Sequence, residues 1–369
     1  MKNTFVEARM STDAGARFLT CIQRLARFIT GREPTLASLR SLTLCCLAVT
    51  GLCYLQIITT PLTGFDNYSY FLAKNGDRLF EVFRGTWIFA LSNTLFPFLG
   101  KAPVVSSIGF LLITLLTCIV SISLWSRENE FAWPEYLAAL LFMVFPYWVS
   151  QLYFPYYHFG YALSTFFCAC AAALAWSSTS PGKLLLSVAL FVTGTAFYQG
   201  AVGVAASLTA ITALLEASRA LMNGLSLRPV LARCLRTVLF LGAGAALYLA
   251  LHKGILWLGG LDLWETKSYA VALDTDIASR LWTLRRAVTG SPFLLPAGIG
   301  MGLPLLAAGI VVWSFYAAIA KRKPAWLVIP VLLLLALFSP VVLILVQRHN
   351  LFPRSMGGAA FVWCGVFLL

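Results

Sequence analysis

The chain has 369 residues, of which 60% are hydrophobic and 11% charged, and its formal net charge is +13 at pH 7. A soluble core cannot absorb so large a share of apolar side chains, so this composition excludes an ordinary soluble domain. No run of Lys and Arg is longer than Lys321–Lys323, which favours an orientation signal for a membrane protein over a nucleic-acid surface. We therefore expect no nucleic-acid partner.

Uncharged runs long enough to cross a membrane follow one another along the chain. Helices suit these runs, because a hydrocarbon layer of ~30 Å needs about 20 apolar residues in a helix. The prediction is an all-α, polytopic integral membrane protein with about ten transmembrane helices. The predicted spans are 41–60, 104–126, 136–152, 158–176, 184–198, 201–217, 237–257, 300–320, 325–346 and 355–369.

The charges between the spans predict the orientation. Positively charged loops favour the cytoplasmic side. This rule places the basic segment 1–40 in the cytoplasm, favours two spans over one in 184–217, and makes 86–100 a helix along the outer surface. Residues 41–369 then form one transmembrane domain, and surface helices lie in its extracytoplasmic loops. These outer loops are 61–103, 258–299 and 347–354.

Asp66 is the candidate general base of the first outer loop. It stands shortly beyond the first span, among Phe65, Tyr68 and Tyr70. Partial desolvation at a membrane surface makes a carboxylate a better proton acceptor. The alternative is that Asp66 only caps the helix predicted for 67–74.

Other acidic residues of the outer loops also have two interpretations. Asp77 stands four residues before Glu81, so it is either part of a salt-bridged surface helix or a second catalytic carboxylate. In the second loop, the spacing of Asp274 and Asp276 is that of a metal ligand pair of soluble sugar transferases. A helix cap fits these two residues better, because an apolar helical pattern follows them, and we predict no metal site.

Lys and Arg are usually less common in extracytoplasmic loops than in cytoplasmic ones, so the arginines of the predicted outer loops need an explanation. Arg348 and Arg354 bracket the short third loop, and the second loop and the third loop add Arg280, Arg285, Arg286 and His349. An anionic phosphate leaving group would explain these arginines. Snorkelling toward lipid head groups is the alternative.

Two aromatic clusters lie at the predicted outer ends of hairpins. Tyr156 and Tyr157 belong to the first, which interfacial aromatic belting largely explains. Tyr198 and Gln199 form the second. A glutamine at a helix turn in apolar surroundings needs partners for its amide, which makes Gln199 a candidate site residue.

These residues together resemble a family, the serotype-converting glucosyltransferases of the Gtr type II kind, within the GT-C class of multi-span transferases that use polyprenyl-phosphate sugars. The resemblance covers the chain from about Leu42 onward. That family often shows paired aspartates after the first span, whereas Asn67 follows Asp66 here. The resemblance is carried by Gly64-Phe65-Asp66, Asn75-Gly76-Asp77-Arg78, Arg84-Gly85-Thr86-Trp87, Phe154-Pro155-Tyr156-Tyr157 and Tyr198-Gln199.

The resemblance implies an external active site with a GT-C-like fold. Asp66 would accept a proton from an acceptor hydroxyl, which attacks the anomeric carbon of the sugar, and Asp77 is the second catalytic candidate. The donor would be a polyprenyl phosphate hexose, and a divalent cation stays open as a cofactor. The leaving phosphate would contact Arg84, Arg348 and Arg354, and the sugar would contact Tyr68, Tyr156, Tyr157, Tyr198, Gln199 and Trp264.

The sequence thus predicts a multi-pass enzyme of the bacterial inner membrane with a cytoplasmic N-terminus. It would move a hexose, with glucose expected, onto an O-antigen or other surface glycan and so modify lipopolysaccharide. A transporter or flippase of lipid-linked sugars is the alternative, and it would need polar residues at several mid-span positions, which the predicted spans nearly lack. A scaffold without catalysis is a third interpretation.

Overall fold

A computed structural model describes most of the predicted spans and little of the outer loops. Within the ranges it describes, every regular element is a helix and no strand occurs, which confirms the all-α prediction. The backbone alone is described at 2–14, 57–59, 103 and 302–306. The described residues are 2–59, 87–88, 91, 103–145, 148, 151–152, 158–259, 302–320, 323–340 and 358–369.

The helices follow the apolar runs of the sequence. Two short 3₁₀ helices, Gln199–Ala201 and Pro324–Leu327, interrupt them. In chain order the α-helices are α1 Lys2–Thr30, α2 Leu36–Thr59, α3 Pro103–Trp125, α4 Trp133–Met143, α5 His158–Ser177, α6 Pro181–Phe197, α7 Val202–Met222, α8 Arg228–Leu258, α9 Gly302–Ala320, α10 Val328–Phe338 and α11 Gly358–Phe367.

Five helical segments within the described ranges are long and apolar enough to cross a membrane. Shorter apolar helices occupy four further predicted spans, so the total of about ten spans stays a prediction. The five segments are Leu36–Gln56, Val104–Trp125, His158–Ser177, Gln199–Met222 and Arg228–Leu258.

One end of the helix bundle is rich in arginine. There the Thr35 amide donates to the Asn129 carbonyl at 2.8 Å, and Lys183 Nζ donates to the Phe28 carbonyl at 2.8 Å. The first bond ties the connection before α2 to the connection before α4, and the second ties the start of α6 to the end of α1. We call this the arginine-rich end, and the end at which α6 stops at Phe197 the opposite end.

Helix α1 is an amphipathic helix that packs on the bundle. Its buried residues Ile22, Ala26 and Ile29 follow helical spacing, whereas Arg24 and Arg27 are exposed. The helix contacts α3 and α5. The sequence prediction placed a basic segment here without a helix, and the structure adds that its apolar face belongs to the core.

Residues 184–217 form two helices that run in opposite directions. Tyr198 interrupts them with an extended backbone, φ −160° and ψ 117°. Lys183 lies at the arginine-rich end, the chain turns at Tyr198, and α7 returns to place Glu216 next to Trp176, the penultimate residue of α5. The preference for two helices over one in this stretch is therefore confirmed.

Helix α8 begins at Arg228, well before the predicted span 237–257. Hydrogen bonding within a helix does not stop where the hydrocarbon layer stops, so the first turns of α8 continue past the apolar run. They carry Arg233 and Arg236, and Arg236 Nη2 donates to the Trp176 carbonyl at 2.7 Å. An arginine on the last carbonyls of a helix satisfies them and complements the helix dipole.

Small residues allow close packing between several helices. A β-carbon on Gly203 would lie 2.8 Å from the Pro340 carbonyl oxygen, and one on Gly358 would lie 2.6 Å from that of Gly203. Close approach at glycine is a common way for helices to associate in membranes, where the hydrophobic effect offers little. Helix α7 therefore sits at the centre of the described bundle, in contact with α5, α8, α10 and α11.

Replacing Gly194 by leucine is expected to lower the stability of the bundle by about 1–3 kcal/mol, because overpacking forces neighbours apart. A β-carbon at Gly194 would lie 2.7 Å from Cys168 Sγ and 3.0 Å from the Ser164 carbonyl oxygen. The apparent Tm of the purified protein in detergent measures the change. Gly242→Leu is the matched control, since among the described residues no atom outside the backbone of α8 lies within 4 Å of a β-carbon there. Equal Tm values for the two variants would contradict the packing described.

Candidate functional site

The predicted residue Gln199 lies in a polar and aromatic cluster at the opposite end of the bundle. Its side-chain Nε2 donates to the Tyr248 hydroxyl at 2.8 Å. The Tyr248 ring stacks on the His252 ring, with 6.1 Å between the centroids and 6° between the planes. Trp87 packs against the apolar surface around Tyr248. We call Trp87, Gln199, Tyr248 and His252 the Gln199 cluster.

The break at Tyr198 places Gln199 in this cluster. The Tyr198 amide donates to the Gly194 carbonyl at 3.1 Å and ends α6. Ser164 Oγ of α5 lies 2.9 Å from the Tyr198 carbonyl and 2.5 Å from the Gly194 carbonyl, so one hydroxyl bridges both sides of the break. The Tyr161 ring meets the Tyr198 ring edge to face, with 4.6 Å between centroids. The turn is thus fixed by α5, and Gln199 points toward α8.

Trp87 brings the first outer loop to the same place. Trp87 and Ile88 pack against Val192, Ala196 and Tyr248, which form a small apolar group on α6 and α8. Trp87 belongs to the Arg84-Gly85-Thr86-Trp87 segment that carries part of the family resemblance. One described segment of the predicted first outer loop, Trp87 and Ile88, therefore lies at the Gln199 cluster.

Two polar atoms of the Gln199 cluster are buried and have no hydrogen-bond partner within the described part of the chain. They are Nε1 of Trp87 and Nδ1 of His252. A buried polar atom without a partner costs roughly 1–3 kcal/mol, which a ligand that supplies the missing bond would recover. An indole N–H and an imidazole nitrogen suit sugar hydroxyl groups, which both donate and accept.

His158 is a buried histidine at this end, and its role is structural. Its Nε2 lies 2.8 Å from the Leu152 carbonyl, which can only accept, so Nε2 carries the proton. Nδ1 then accepts from the Ser107 hydroxyl at 3.2 Å. These bonds join α3, residues 151–152 and α5.

Most predicted site residues lie outside the described residues. The structure brings Tyr198 and Gln199 together at the opposite end and joins Gln199 to Tyr248, a residue that the sequence analysis did not select. It did not select His252 either, although a histidine within an apolar span is itself a signal of function. The positions outside the described residues are Asp66, Tyr68, Asp77, Arg84, Tyr156, Tyr157, Trp264, Arg348 and Arg354.

The structure offers no metal centre among the residues it describes. No group of three or more His, Cys, Asp or Glu side chains comes together there. The acidic residues of the outer loops fall outside this search. The use of a divalent cation therefore stays untested.

Replacing Tyr248 by phenylalanine is expected to reduce glucosyl transfer by about tenfold, because the Gln199 amide loses a partner worth roughly 1–1.5 kcal/mol and its position relaxes. The rate of sugar transfer by the purified protein measures the effect. Tyr316→Phe is the matched control, since Tyr316 is 68% exposed on α9 and has no described partner. Equal losses in the two variants would exclude a role for the Gln199 cluster.

One comparison with known proteins identifies a family. The chain matches the family described as glucosyl transferase GtrII over residues 42–369, which is nearly its whole length. No curated protein and no solved structure matches the chain. The matched range includes the first outer loop, the Tyr198 turn and all of α8. This helical membrane protein therefore belongs to the GtrII family of glucosyl transferases.

Proposed function

We propose that this chain transfers a hexose, with glucose expected, from a polyprenyl phosphate carrier to an O-antigen or other surface glycan. The reaction would take place at the extracytoplasmic surface of the bacterial inner membrane. Membership of a glucosyl transferase family supports the reaction class, and the apolar helices support a membrane-bound donor. The donor, the acceptor and the side of the membrane are parts of the proposal.

The charge distribution supports the proposed orientation. Arg32, Arg127, Arg219 and Arg233 lie together at the arginine-rich end. Positively charged segments next to membrane spans favour the cytoplasm, so this end would face the cytoplasm together with α1. The Gln199 cluster would then lie at the extracytoplasmic surface.

The proposal rests on the positions of the described residues on either side of the segment that contains Asp66. Helix α2 starts with Leu36 at the arginine-rich end and runs across the bundle, where the Tyr54 hydroxyl donates to the Phe145 carbonyl at 3.4 Å. After the Asp66 segment, Trp87 contacts the opposite end. Both flanks of that segment thus lie toward the opposite end, and in the proposed orientation this is where the outer leaflet would present a lipid-borne sugar.

In the proposed reaction, Asp66 accepts the proton of an acceptor hydroxyl, and the hydroxyl oxygen forms a bond with the anomeric carbon. The bond from that carbon to the phosphate oxygen breaks, and polyprenyl phosphate leaves with the electron pair. Arg84, Arg348 and Arg354 would stabilise the charge on the departing phosphate. Asp77 is the second proposed carboxylate, and the sugar would lie between the Gln199 cluster and Tyr68, Tyr156, Tyr157, Tyr198 and Trp264.

The placement of charges within the spans favours a transferase over a transporter. A transporter uses ionisable residues near the middle of the membrane. In the described spans, Asp, Glu, Lys and Arg lie toward helix ends, as Glu216, Arg219 and Lys253 do. The charged groups of the described spans collect at the two ends of the bundle instead.

Cysteine labelling in intact cells tests the orientation. The nine native cysteines are all free, and the exposed ones, Cys21, Cys45 and Cys53, are first replaced by alanine. A cysteine placed at Ser69 is expected to react with an impermeant thiol reagent in intact cells. One placed at Ser226, in the exposed connection before α8, is expected to react only after lysis. The reverse pattern would overturn the proposed site of the reaction.

A further inference from the structure

A pocket of about 550 Å³ opens at the arginine-rich end, far from the Gln199 cluster. It lies between the end of α7, the start of α8 and the connections that precede α2 and α4. We call it the arginine pocket. Its charged lining residues are Arg32, Arg127, Glu216, Arg219 and Arg233.

The single carboxylate of the arginine pocket is already engaged. Glu216 Oε2 lies 3.0 Å from Arg233 Nη2, and Glu216 Oε1 accepts from Trp176 Nε1 at 3.0 Å. Within the described residues, no carboxylate forms a salt bridge with Arg32, Arg127 or Arg219. Glu216 and Glu135 attract the Arg219 guanidinium without a direct ion pair, so the arginine pocket keeps an excess of positive charge in this part of the chain.

The fold holds these arginines close together despite their repulsion. Arg32 Nη1 donates to the Arg127 carbonyl at 3.1 Å, which links the two connections that carry them. Arg32 and Arg127 are near enough to the half-buried Arg219 to repel its guanidinium. Like charges in one pocket become favourable when an anion with several oxygen atoms lies between them.

The start of α8 adds to the attraction for an anion. Pro229 and Val230, in the first turn of this 31-residue helix, line the arginine pocket, as does Ser226 just before it. The first turn of a helix carries partial positive charge. Here the Arg228 amide donates to Ser226 Oγ at 3.3 Å and Pro229 has no N–H, so the Val230 N–H is the one available to an anion. Phosphate groups are commonly bound in this way.

The depth of the arginine pocket points to a lipid rather than a dissolved anion. Arg233 precedes the apolar run that starts at Thr237 by about one helical turn, or roughly 6 Å, which is the depth of the head-group layer. Leu225, which lines the pocket, is 63% exposed, and Leu235 on α8 is 61% exposed. Acyl chains lying along α8 would cover this apolar surface while the head group fills the pocket.

We infer that the arginine pocket binds a phospholipid head group with two phosphate groups. The anionic oxygens of such a head group would accept hydrogen bonds from Arg32, Arg127 and Arg219 and balance their charge. Diphosphatidylglycerol has a head group of this kind. The inference is independent of the proposed glucosyl transfer, because it concerns the other end of the bundle and needs no sugar. The bound lipid would fix α7 and α8 to the connections that precede α2 and α4.

The test compares ligands and matched variants of the full chain in detergent. Native mass spectrometry and the shift in Tm are measured with diphosphatidylglycerol, phosphatidylglycerol, phosphatidylcholine and inorganic pyrophosphate. Diphosphatidylglycerol is expected to be retained and to raise Tm most. The double variant Arg127→Gln with Arg219→Gln is expected to lose at least tenfold in apparent affinity, since two charge-assisted contacts disappear. The double variant Arg24→Gln with Arg40→Gln removes the same charge from exposed positions of α1 and α2, and less than a twofold loss is expected.

Several results would overturn the inference. Equal losses in the two double variants would show general attraction of anionic lipid to a basic surface. An equal response to pyrophosphate and to the lipid would assign the arginine pocket to a soluble anion. If the double glutamine variant of Arg127 and Arg219 unfolds without lipid, the double lysine variant Arg127→Lys with Arg219→Lys is measured in its place, because it keeps both charges. Retained folding and unchanged lipid affinity in all variants would exclude a lipid at this site.

Discussion

Replacing Asp66 by asparagine is expected to reduce glucosyl transfer by about 10²–10⁴-fold, the range that a general base contributes. The amide has nearly the shape of the carboxylate but cannot accept the proton of the acceptor hydroxyl. Surface glycan from cells that express the variant is analysed for added hexose, and the amount of protein in the membrane is measured in parallel. Asp66→Ala is expected to give the same loss.

Two comparisons make this result specific. Glu128→Gln removes a carboxylate from the exposed connection before α4, at the arginine-rich end, and is expected to leave the glycan unchanged. A helix-capping role for Asp66 would instead survive in asparagine, since asparagine caps helices as well as aspartate does. Full modification by the Asp66→Asn variant would therefore exclude the proposed base. Asp77→Asn, measured alongside, shows whether the second carboxylate takes part.

Replacing Arg348 or Arg354 by glutamine is expected to slow transfer by about 10²–10³-fold, the typical cost of one lost electrostatic contact to charge that develops in a transition state. Both residues lie outside the described structure, and their assignment rests on the family resemblance and on charge. Single-turnover rates with a polyprenyl phosphate glucose donor separate the chemical step from binding.

A charge-conserving change distinguishes the phosphate role from snorkelling. Lysine keeps the positive charge but cannot form two parallel bonds to a phosphate, so Arg348→Lys is expected to recover only part of the rate. A snorkelling residue would tolerate lysine fully. Lys253→Gln is the matched control, because it removes an exposed cation near the same end without a proposed role. A rate for Arg348→Gln equal to that of the control would exclude the phosphate contact.

The bounds of a helix could be predicted from sequence where the thickness of the membrane sets the length of the helix. The apolar runs 104–126 and 158–176 agree with α3 and α5 within one residue at each end, because the length of a span is set by the hydrocarbon layer. Helix α8 extends further than predicted, since charged turns continue a helix outside that layer. Helix α1 was missed because its apolar residues are spaced around an amphipathic helix and form no continuous run.

The candidate site could be predicted only in part. Gln199 was selected because its amide lies in apolar surroundings, and the structure shows the bond that satisfies it. Tyr248 could not be paired with it from sequence, because 49 residues separate them and only the packing of α6 on α8 brings them together. The roles of Asp66 and the outer arginines depend on a loop arrangement that spacing along the chain does not determine.

The packing of α1 has a consequence for any shortened form of the protein. The family match begins at residue 42, but Ile22 and Ile29 are 4% exposed and belong to the same core as α3 and α5. Deleting the first forty residues would uncover apolar surface that faces neither lipid nor solvent in the intact protein. We therefore expect a chain that starts at residue 42 to be less stable than the full chain, although it contains the whole region matched to the family.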